Sequence, residues 1–507
     1  MLLPYPRFLA MACLALLVGP VAAQAVRVQT YTFKTRATHR VGGWRNSPTD
    51  SVRIFWGGFS GLRAVPGAPN EFYTVTDRGP NVDAPNGSKF FPLPNFTPTI
   101  IRFRAQADSL VMLSYLGLKT PAGGPASGRP LPAGFGSTGE TACSTPGCTG
   151  PAYPPDVFGI DSEGIELDGT GGFWVCEEYG TSVWHVAADG HLLARYSPWG
   201  NDPRHAPQDI AVDSVFRRRI PNKGFEGICR TPNGKIYAFI QAALANPTVA
   251  AGQASRVHRI LEIDPATNAT RTFFYFHKAA TSGLSNDKIY LGDAVALNNN
   301  ELLVLEHGGK NANTSGNIRN RKLVIKIDLR GATPLPQNAV LAAETLDSVG
   351  LAQRGYAGVS KTLVLDLLQN GYDTSLGKAE GLAVVNDSTL AVSNDNDFAV
   401  DAAPAYDRLV GSGLLTKLYV FTLPRSRHLP LAARPAPAAL AASPYPNPVP
   451  GGQPLHLPQS AAYEVLDGTG RRVRAGRGDE VPTAGLPAGL YLLRDGAGRP
   501  AGRFVVE

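Results

Sequence analysis

Apolar and polar residues alternate along this chain in short runs, as in KIYAFI (235–240) and LLVLEH (302–307), and no long stretch repeats its apolar residues at helical spacing. Period-two runs bounded by turn residues predict β-strands. The runs come in pairs. Residues 57–80, 161–180, 223–241, 290–309 and 378–397 share one form: a small or acidic residue, an apolar strand, a turn, a second apolar strand, then polar or acidic residues. The turn sequences PNG (232–234), NNN (298–300) and NDS (386–388) suit tight hairpin connections. Further strands are expected in SVWHVAADGHLLARY (182–196), RVHRILEIDPATNAT (256–270), KLVIKIDLR (322–330) and KLYVFTL (417–423).

A unit of about four strands returning every ~60–70 residues predicts an all-β chain folded as a β-propeller. Five units are visible between residues 57 and 397, and strands near 28–56 and 410–423 are expected to complete a sixth blade from the two chain ends. Such closure removes open sheet edges.

In a propeller the first strand of each unit lines the central channel. The residues that open it, Glu163, Glu226, Asp293 and Glu380, with Ser60 in the first unit, should converge at one mouth. Those that follow the second strand, Asp77, Glu177, Glu178, Gln241, Glu306, Asp395 and Asp397, should ring it. The pair Asp161/Glu163 and the pair Glu177/Glu178 flank a single hairpin, DSEGIELDGTGGFWVCEEYG (161–180). So many carboxylates in one cleft raise one another's pKa or recruit a cation. Oxygen-only ligands in this number suit Ca²⁺, and Mg²⁺ or Mn²⁺ less well. The competing reading is that individual acids cap turns or pair with Arg78, Lys223 or Lys378.

The chain has 507 residues, 55 Gly and 42 Pro, which fits a turn-rich β protein of more than one domain. Its formal charge of +7 is uneven: residues 424–507 hold ten Arg and no Lys against six acids, leaving the body near balance. No concentrated basic face with interleaved aromatics marks a nucleic-acid surface. Residues 1–23 read as a secretory signal peptide: Arg7 precedes the apolar run FLAMACLALLVG, and VAAQA supplies small residues for cleavage after Ala23. No later stretch is long and apolar enough for a membrane helix, and a soluble, exported monomer is expected. Cys13 lies in the signal segment. Of the remaining cysteines, Cys143 and Cys148 can pin a loop, and Cys176 with Cys229 is a second possible pair.

A hard cation held in such a mouth would polarise an ester and activate water for its hydrolysis. Glu163, Glu226 and His307 are the candidate catalytic groups, His307 as acid or base. Arg78, Lys223, Lys310 and Lys378 are the candidate contacts for an anionic substrate. No G-x-S-x-G elbow is present, and GGFSG and GGPASGRP lack the pattern of a phosphate-cradling loop. Two alternatives stand: a non-catalytic, calcium-stabilised binding propeller on the cell surface, and a lactone or carboxyl-ester hydrolase at the same metal.

The ordered motifs SGLRAV…FYTVTDRGP, DSEGIEL…GGFWVCEEYG, GFEGICRTPNGKIYAFIQ, GDAVALNNNELLVLEHGG and AEGLAVVNDSTLAVSNDND, over roughly residues 40–425, resemble the esterase-like phytase family. The resemblance implies a propeller with phosphoesterase or esterase-like activity on a small anionic phosphate ester, whose phosphate oxygens Arg78, Lys223, Lys310 and Lys378 would contact. It also implies the candidate metal ligands Asp77, Glu163, Glu177, Glu178, Glu226, Asp293, Glu306, Glu380 and Asp395. Gln241 and Ser60 depart from the acidic pattern, and the insertion TGETACSTPGCTG (138–150) is placed to overhang the mouth. After a Pro/Ala-rich linker at 425–442, residues 443–507 carry YPNP, DGTGRRV and LPAGLYLL. These are similar to the C-terminal sorting domain of the type IX secretion system. That likeness implies a small β-sandwich, recognition by that machinery, and passage through periplasm and outer membrane to a secreted or surface-held form. The propeller itself is assigned to residues 24–424.

Overall fold

The computed structural model describes residues 25–34, 39–200, 209–277, 286–308, 321–431, 448–468, 470–495 and 500–507. The expected signal segment 1–23, Lys310 and most of the expected linker lie outside them. The chain divides into two compact units, Met1–Ala432 and Ala433–Glu507.

The first unit is built from antiparallel four-stranded meanders. Phe59–Val65, Ala68–Thr76, Thr99–Gln106 and Ser109–Gly117 form one. Ser162–Leu167, Phe173–Glu177, Val183–Val186 and Leu192–Ser197 form the next, and Phe225–Arg230, Ile236–Ile240, Val257–Asp264 and Ala269–Phe276 the third. Ile289–Ala296, Glu301–Gly308, Lys322–Asp328 and Ser360–Asp366 make the fourth. In the last, Gly381–Asn386, Thr389–Ser393 and Lys417–Thr422 are joined by the N-terminal strand Arg27–Thr32, which pairs with Lys417–Thr422 residue for residue. The five inner strands neighbour one another in a ring, with Phe59–Val65 lying beside both Ser162–Leu167 and Gly381–Asn386.

This corrects the expected sixth blade. The strands assigned to it close the blade of 378–397. The remaining candidate, residues 40–55, forms a separate hairpin of Arg40–Arg45 with Ser51–Phe55. That hairpin packs Ile54 and Trp44 against Val82, Phe90, Phe398 and Leu409, in a layer made from inter-strand loops.

The hairpin turns follow their side-chain chemistry. Asp168 accepts hydrogen bonds from the Thr170 and Gly172 amides in DGTGG, and Asn298 from those of Asn300 and Glu301 in NNN. Gly234 of PNG takes a positive φ of 86°. Apolar residues between successive blades form the core, as with Tyr237, Phe239 and Ile260 against Leu291, Leu302 and Val304.

The inner strands explain the acid–glycine repeat. A Cβ at Gly61 would lie 2.7 Å from Gly164 Cα, and one at Gly227 would lie 2.4 Å from the Gly292 carbonyl oxygen. Only glycine lets neighbouring backbones approach so closely at the axis. The pairing register shifts between Phe59 and Leu62, Ser162 and Gly164, Phe225 and Gly227, and Leu291 and Ala294. The strand is thus bulged where Ser60, Glu163, Glu226 and Asp293 stand, and a bulge re-aims the side chain it carries.

The second unit pairs Leu455–Leu466 with Arg472–Val481 and Gly489–Asp495, and the latter with Pro500–Val506. Its described residues form one four-stranded sheet, in place of two stacked ones, around Val465, Val481, Tyr491, Leu493 and Phe504.

Candidate functional site

At one end of the ring, backbone hydrogen bonds tie the start of each inner strand to the end of its partner: Asp77 N to Gly58 O, Glu178 N to Asp161 O, and Gln241 N to Gly224 O. A cavity of about 850 Å³ opens there. Asp77, Asp161, Glu163, Glu178, Glu226, Glu380 and Asp397 line it, with Arg78, Lys223, Lys378, His307, Gln241 and Tyr290. Its outer wall comes from the loop layer through Val82, Asp83, Lys89 and Val400. The 138–150 insertion joins that layer: Ala142–Cys143 pairs with Lys89–Phe90, Cys143 is disulfide-bonded to Cys148, and Glu140 reaches Arg78 at 3.1 Å.

Two groups of carboxylates face one another's fields. Asp77, Asp395 and Asp397 bring oxygens within 4.8 Å of one another, and so do Asp161, Glu163 and Glu178. Arg78 pairs with Asp161 at 3.2 Å, and its amide donates to the same carboxylate at 3.0 Å. Lys378 pairs with Asp395, with Asp397 at 2.9 Å and with Glu380 at 3.6 Å. Lys223 lies 3.4 Å from Gln241 Oε1 and over the Tyr290 ring at 3.9 Å. Gln241 in turn donates to Glu226 Oε1 at 2.7 Å. The other Glu226 oxygen and Oε2 of Glu380 are buried with no hydrogen-bond partner among the described residues.

Charge crowding shows in the proton affinities. Burial, then the like charges of Glu226, Asp161 and Glu178, hold Glu163 well above the usual carboxylate range. Burial with Asp161 and Glu226 does the same to Glu178, and burial with Asp395 and Asp161 to Asp77. Glu380 is raised by burial despite Lys378. Burial pushes Glu226 up to about 7, against the pull of Gln241, Lys378 and Lys223. His307 moves the other way. Burial and Lys322 bring it down to about 3, so its ring is neutral at pH 7. With Nδ1 3.2 Å from the Gly308 carbonyl, the proton belongs on Nδ1, which leaves an unpartnered Nε2 lone pair at the cavity.

Three expected metal ligands lie elsewhere. Asp293 is fully buried on the axis beneath the mouth, where it accepts from Arg63 at 2.9 Å and from the Leu62 and Leu382 amides. Arg63 crosses the channel to reach Glu166 and the carbonyls of Ile228 and Leu382, which closes the channel below the acids. Glu306 is enclosed by Arg321, Lys361 and Tyr275; burial raises it, but His277, Lys361 and Arg321 outweigh that and hold it near 2. Glu177 caps its own turn, accepting from the Tyr179, Gly180 and Ser182 amides. Asp395 is engaged by Lys378 and the Asp397 amide but stays within the first carboxylate group. Ser60 is buried, and Cys176 and Cys229 are free, buried thiols in place of a bridge.

Asp161 and Asp397, named in the sequence as acids of the hairpin ends but not as metal ligands, belong to the two carboxylate groups, and Tyr290 is a lining residue the sequence reading did not name. Both acids stand within two residues of a predicted ligand. The donor set fits a hard divalent cation, because it offers oxygen ligands in anionic excess and two buried carboxylate oxygens that no hydrogen-bond donor among the described residues reaches.

The family profile described as "Phytase-like: Esterase-like activity of phytase" matches residues 54–398. The chain belongs to the phytase-like family. Over 146 residues this phytase-like chain is 30% identical to an "Uncharacterized secreted protein" of Arthroderma benhamiae, a match that covers 24% of this chain and 28% of that relative. It is similar to the PQQ-bound aldose sugar dehydrogenase of Streptomyces coelicolor (TM-score 0.29, 12% identity, 79% of this chain and 100% of that one). It is also similar to the WD40 domain of Toxoplasma gondii coronin (TM-score 0.28, 9% identity, 81% and 90%). Likeness at that level carries no chemistry. No helix among the described residues is long and apolar enough to cross a membrane.

Proposed function

We propose that this phytase-like protein is a metal-dependent hydrolase of phosphate esters, with the acidic mouth as its active site. The single observation that carries the reading is that Glu226 Oε2 and Glu380 Oε2 are buried without a hydrogen-bond partner among the described residues, in a cavity whose acids outnumber its bases. Such oxygens are costly to bury unless a cation meets them. Asp161, Glu163 and Glu178 are the proposed ligands, and Ca²⁺ the proposed metal. When bound, it supplies Lewis-acid polarisation of a phosphoryl oxygen and a more acidic water.

The chain's own residues supply the rest. Glu226, one oxygen fixed by Gln241 and the other open, takes the proton of the attacking water. His307, too weak a base for that task, accepts a hydrogen bond and orients the water through Nε2. Among the basic candidates in the described residues Arg78 and Lys378 are bound in ion pairs, so Lys223, held by Gln241 at 3.4 Å and by the Tyr290 ring but by no carboxylate, is the proposed phosphate contact. The relative's description as secreted supports export of this chain, and the YPNP–DGTGRRV–LPAGLYLL series supports delivery by type IX secretion.

The test is phosphate release from phytate and from a generic phosphomonoester by the full chain, with Ca²⁺ or with chelator. Release only with metal supports the proposal. Because the family's description is esterase-like, aryl acetates and lactones are assayed alongside. Their cleavage without phosphate release would replace the phosphate reading with a carboxyl-ester one. Calcium binding with every ester untouched would leave a binding propeller.

A further inference from the structure

The two carboxylate groups of the mouth are not equivalent, and the difference lies in one lysine. In the group Asp77/Asp395/Asp397 the Lys378 ammonium is already inside: it touches Asp395, lies 2.9 Å from Asp397 and 3.6 Å from the adjoining Glu380, and its side chain is 16% exposed. Its field also reaches Asp77 as a favourable charge. The Asp395 and Asp77 carboxylates are further spent on the amides of Asp397 and Gly79, each at 2.7 Å.

The group Asp161/Glu163/Glu178 has no such occupant. Arg78 approaches Asp161 from the side, through Nε at 3.2 Å, while its Nη1 is turned to Glu140 and Tyr179. Among the described residues no side-chain donor reaches the carboxylate of Glu163 or Glu178. A separate observation points into the same space. Glu226, the strongest like-charge neighbour of Glu163, is 3% exposed and keeps Oε2 without a partner on the cavity wall. Three acids and a buried orphan oxygen form an oxygen cage whose charge, among the described residues, is met by direct ion pairing only where Arg78 touches Asp161 at its side.

We propose that Lys378 is a built-in cation filling the Asp77/Asp395/Asp397 group, so that the mouth binds one divalent cation, at Asp161/Glu163/Glu178, and not two. The lysine therefore sets the metal stoichiometry. An ammonium at close range offsets about one unit of the local charge, and a dication entering beside it would meet repulsion as well as ligands already engaged. The inference rests on the reading of the mouth as a cation site, but its readout is binding and not turnover.

The experiment is isothermal titration of the metal-stripped full chain with Ca²⁺, with bound calcium checked by elemental analysis after gel filtration. The wild type should take up one Ca²⁺ per chain, Glu178→Gln should lose at least tenfold in affinity, and Lys378→Met should take up two. Lys378→Arg, which restores the charge, should return to one. Two Ca²⁺ in the wild type, or one in Lys378→Met, would overturn the proposal. If Lys378→Met does not fold, Asp397→Asn at the half-exposed edge of the lysine's group decides: one Ca²⁺ at unchanged affinity supports the assignment, and loss of binding refutes it. No Ca²⁺ uptake by the wild type would sink the metal reading of the mouth itself. Absence of hydrolysis with one Ca²⁺ bound would sink only the proposed reaction.

Discussion

Glu226→Gln tests the electrostatics of the mouth without reference to substrate. In the folded protein the carboxyl titrates at about 7, against 4.5 for an unperturbed Glu. Between those values the folded state holds a proton that the unfolded state has released, so the stability of the metal-free protein falls as pH rises through this window. The gap corresponds to at most about 3 kcal/mol lost by pH 8, at 1.36 kcal/mol per unit. Gln keeps the acceptor that Gln241 Nε2 uses, and it replaces Oε2 by a neutral amide nitrogen left unpaired at a cost of about 1 kcal/mol. In chelator at pH 8 the variant should therefore exceed the wild type by about 2 kcal/mol. At pH 4.5, where the wild-type carboxyl is protonated, it should be equal or slightly weaker. Saturating Ca²⁺ should reverse the order at pH 8, because only the wild type gains fully from the ligand. The assay is thermal unfolding followed by circular dichroism at both pH values, with chelator and with Ca²⁺. A Glu226→Gln variant less stable than the wild type in chelator at pH 8, and indifferent to Ca²⁺, would refute both the raised carboxyl and the cation that relieves it.

The other predictions concern the frame that holds the mouth. Arg63→Met leaves Asp293 charged and buried on the axis, and should cost about 3–5 kcal/mol in equilibrium denaturation, with Arg63→Met/Asp293→Asn recovering much of it. Gly227→Ala places a methyl group 2.4 Å from the Gly292 carbonyl oxygen and should cost about 1–3 kcal/mol in the same assay; an unchanged midpoint would count against the close approach of inner strands. Cys176 and Cys229, whose thiols burial pushes well above their usual range, should resist a thiol reagent in the native protein and react after denaturation, as read by peptide mass mapping.

The hairpins and the convergence of their acidic ends were legible in the sequence because both depend on local pattern: alternation, turn chemistry and the acid–glycine step. Blade number was not. Residues 40–55 alternate as a blade strand does, and nothing local shows that Trp44 and Ile54 serve the loop layer. Within the site, the motif placed Asp293 beside Glu163 by analogy, but Arg63 takes the carboxylate. The signal lay in SGLRAV, where a charged residue interrupts an inner strand. Of the consecutive Glu177 and Glu178 only the second faces the cavity, as alternation along a strand requires, while the first turns back onto its own loop amides. Glu306 shows the same limit: its partners Arg321, Lys361 and Tyr275 come from other strands and loops, and spacing along the chain carries no trace of them.

The ring is sealed by its own beginning. Arg27–Thr32 is the outermost strand of the blade whose other strands end at Thr422, so the first described strand finds its partner only after nearly four hundred further residues exist. Until then two sheet edges stay open, and the blade that carries Lys378, Glu380 and Asp395 is incomplete. Assembly of the mouth is thus a late event that needs the first unit nearly to its end, and a nascent polypeptide has neither a closed ring nor a finished acidic mouth.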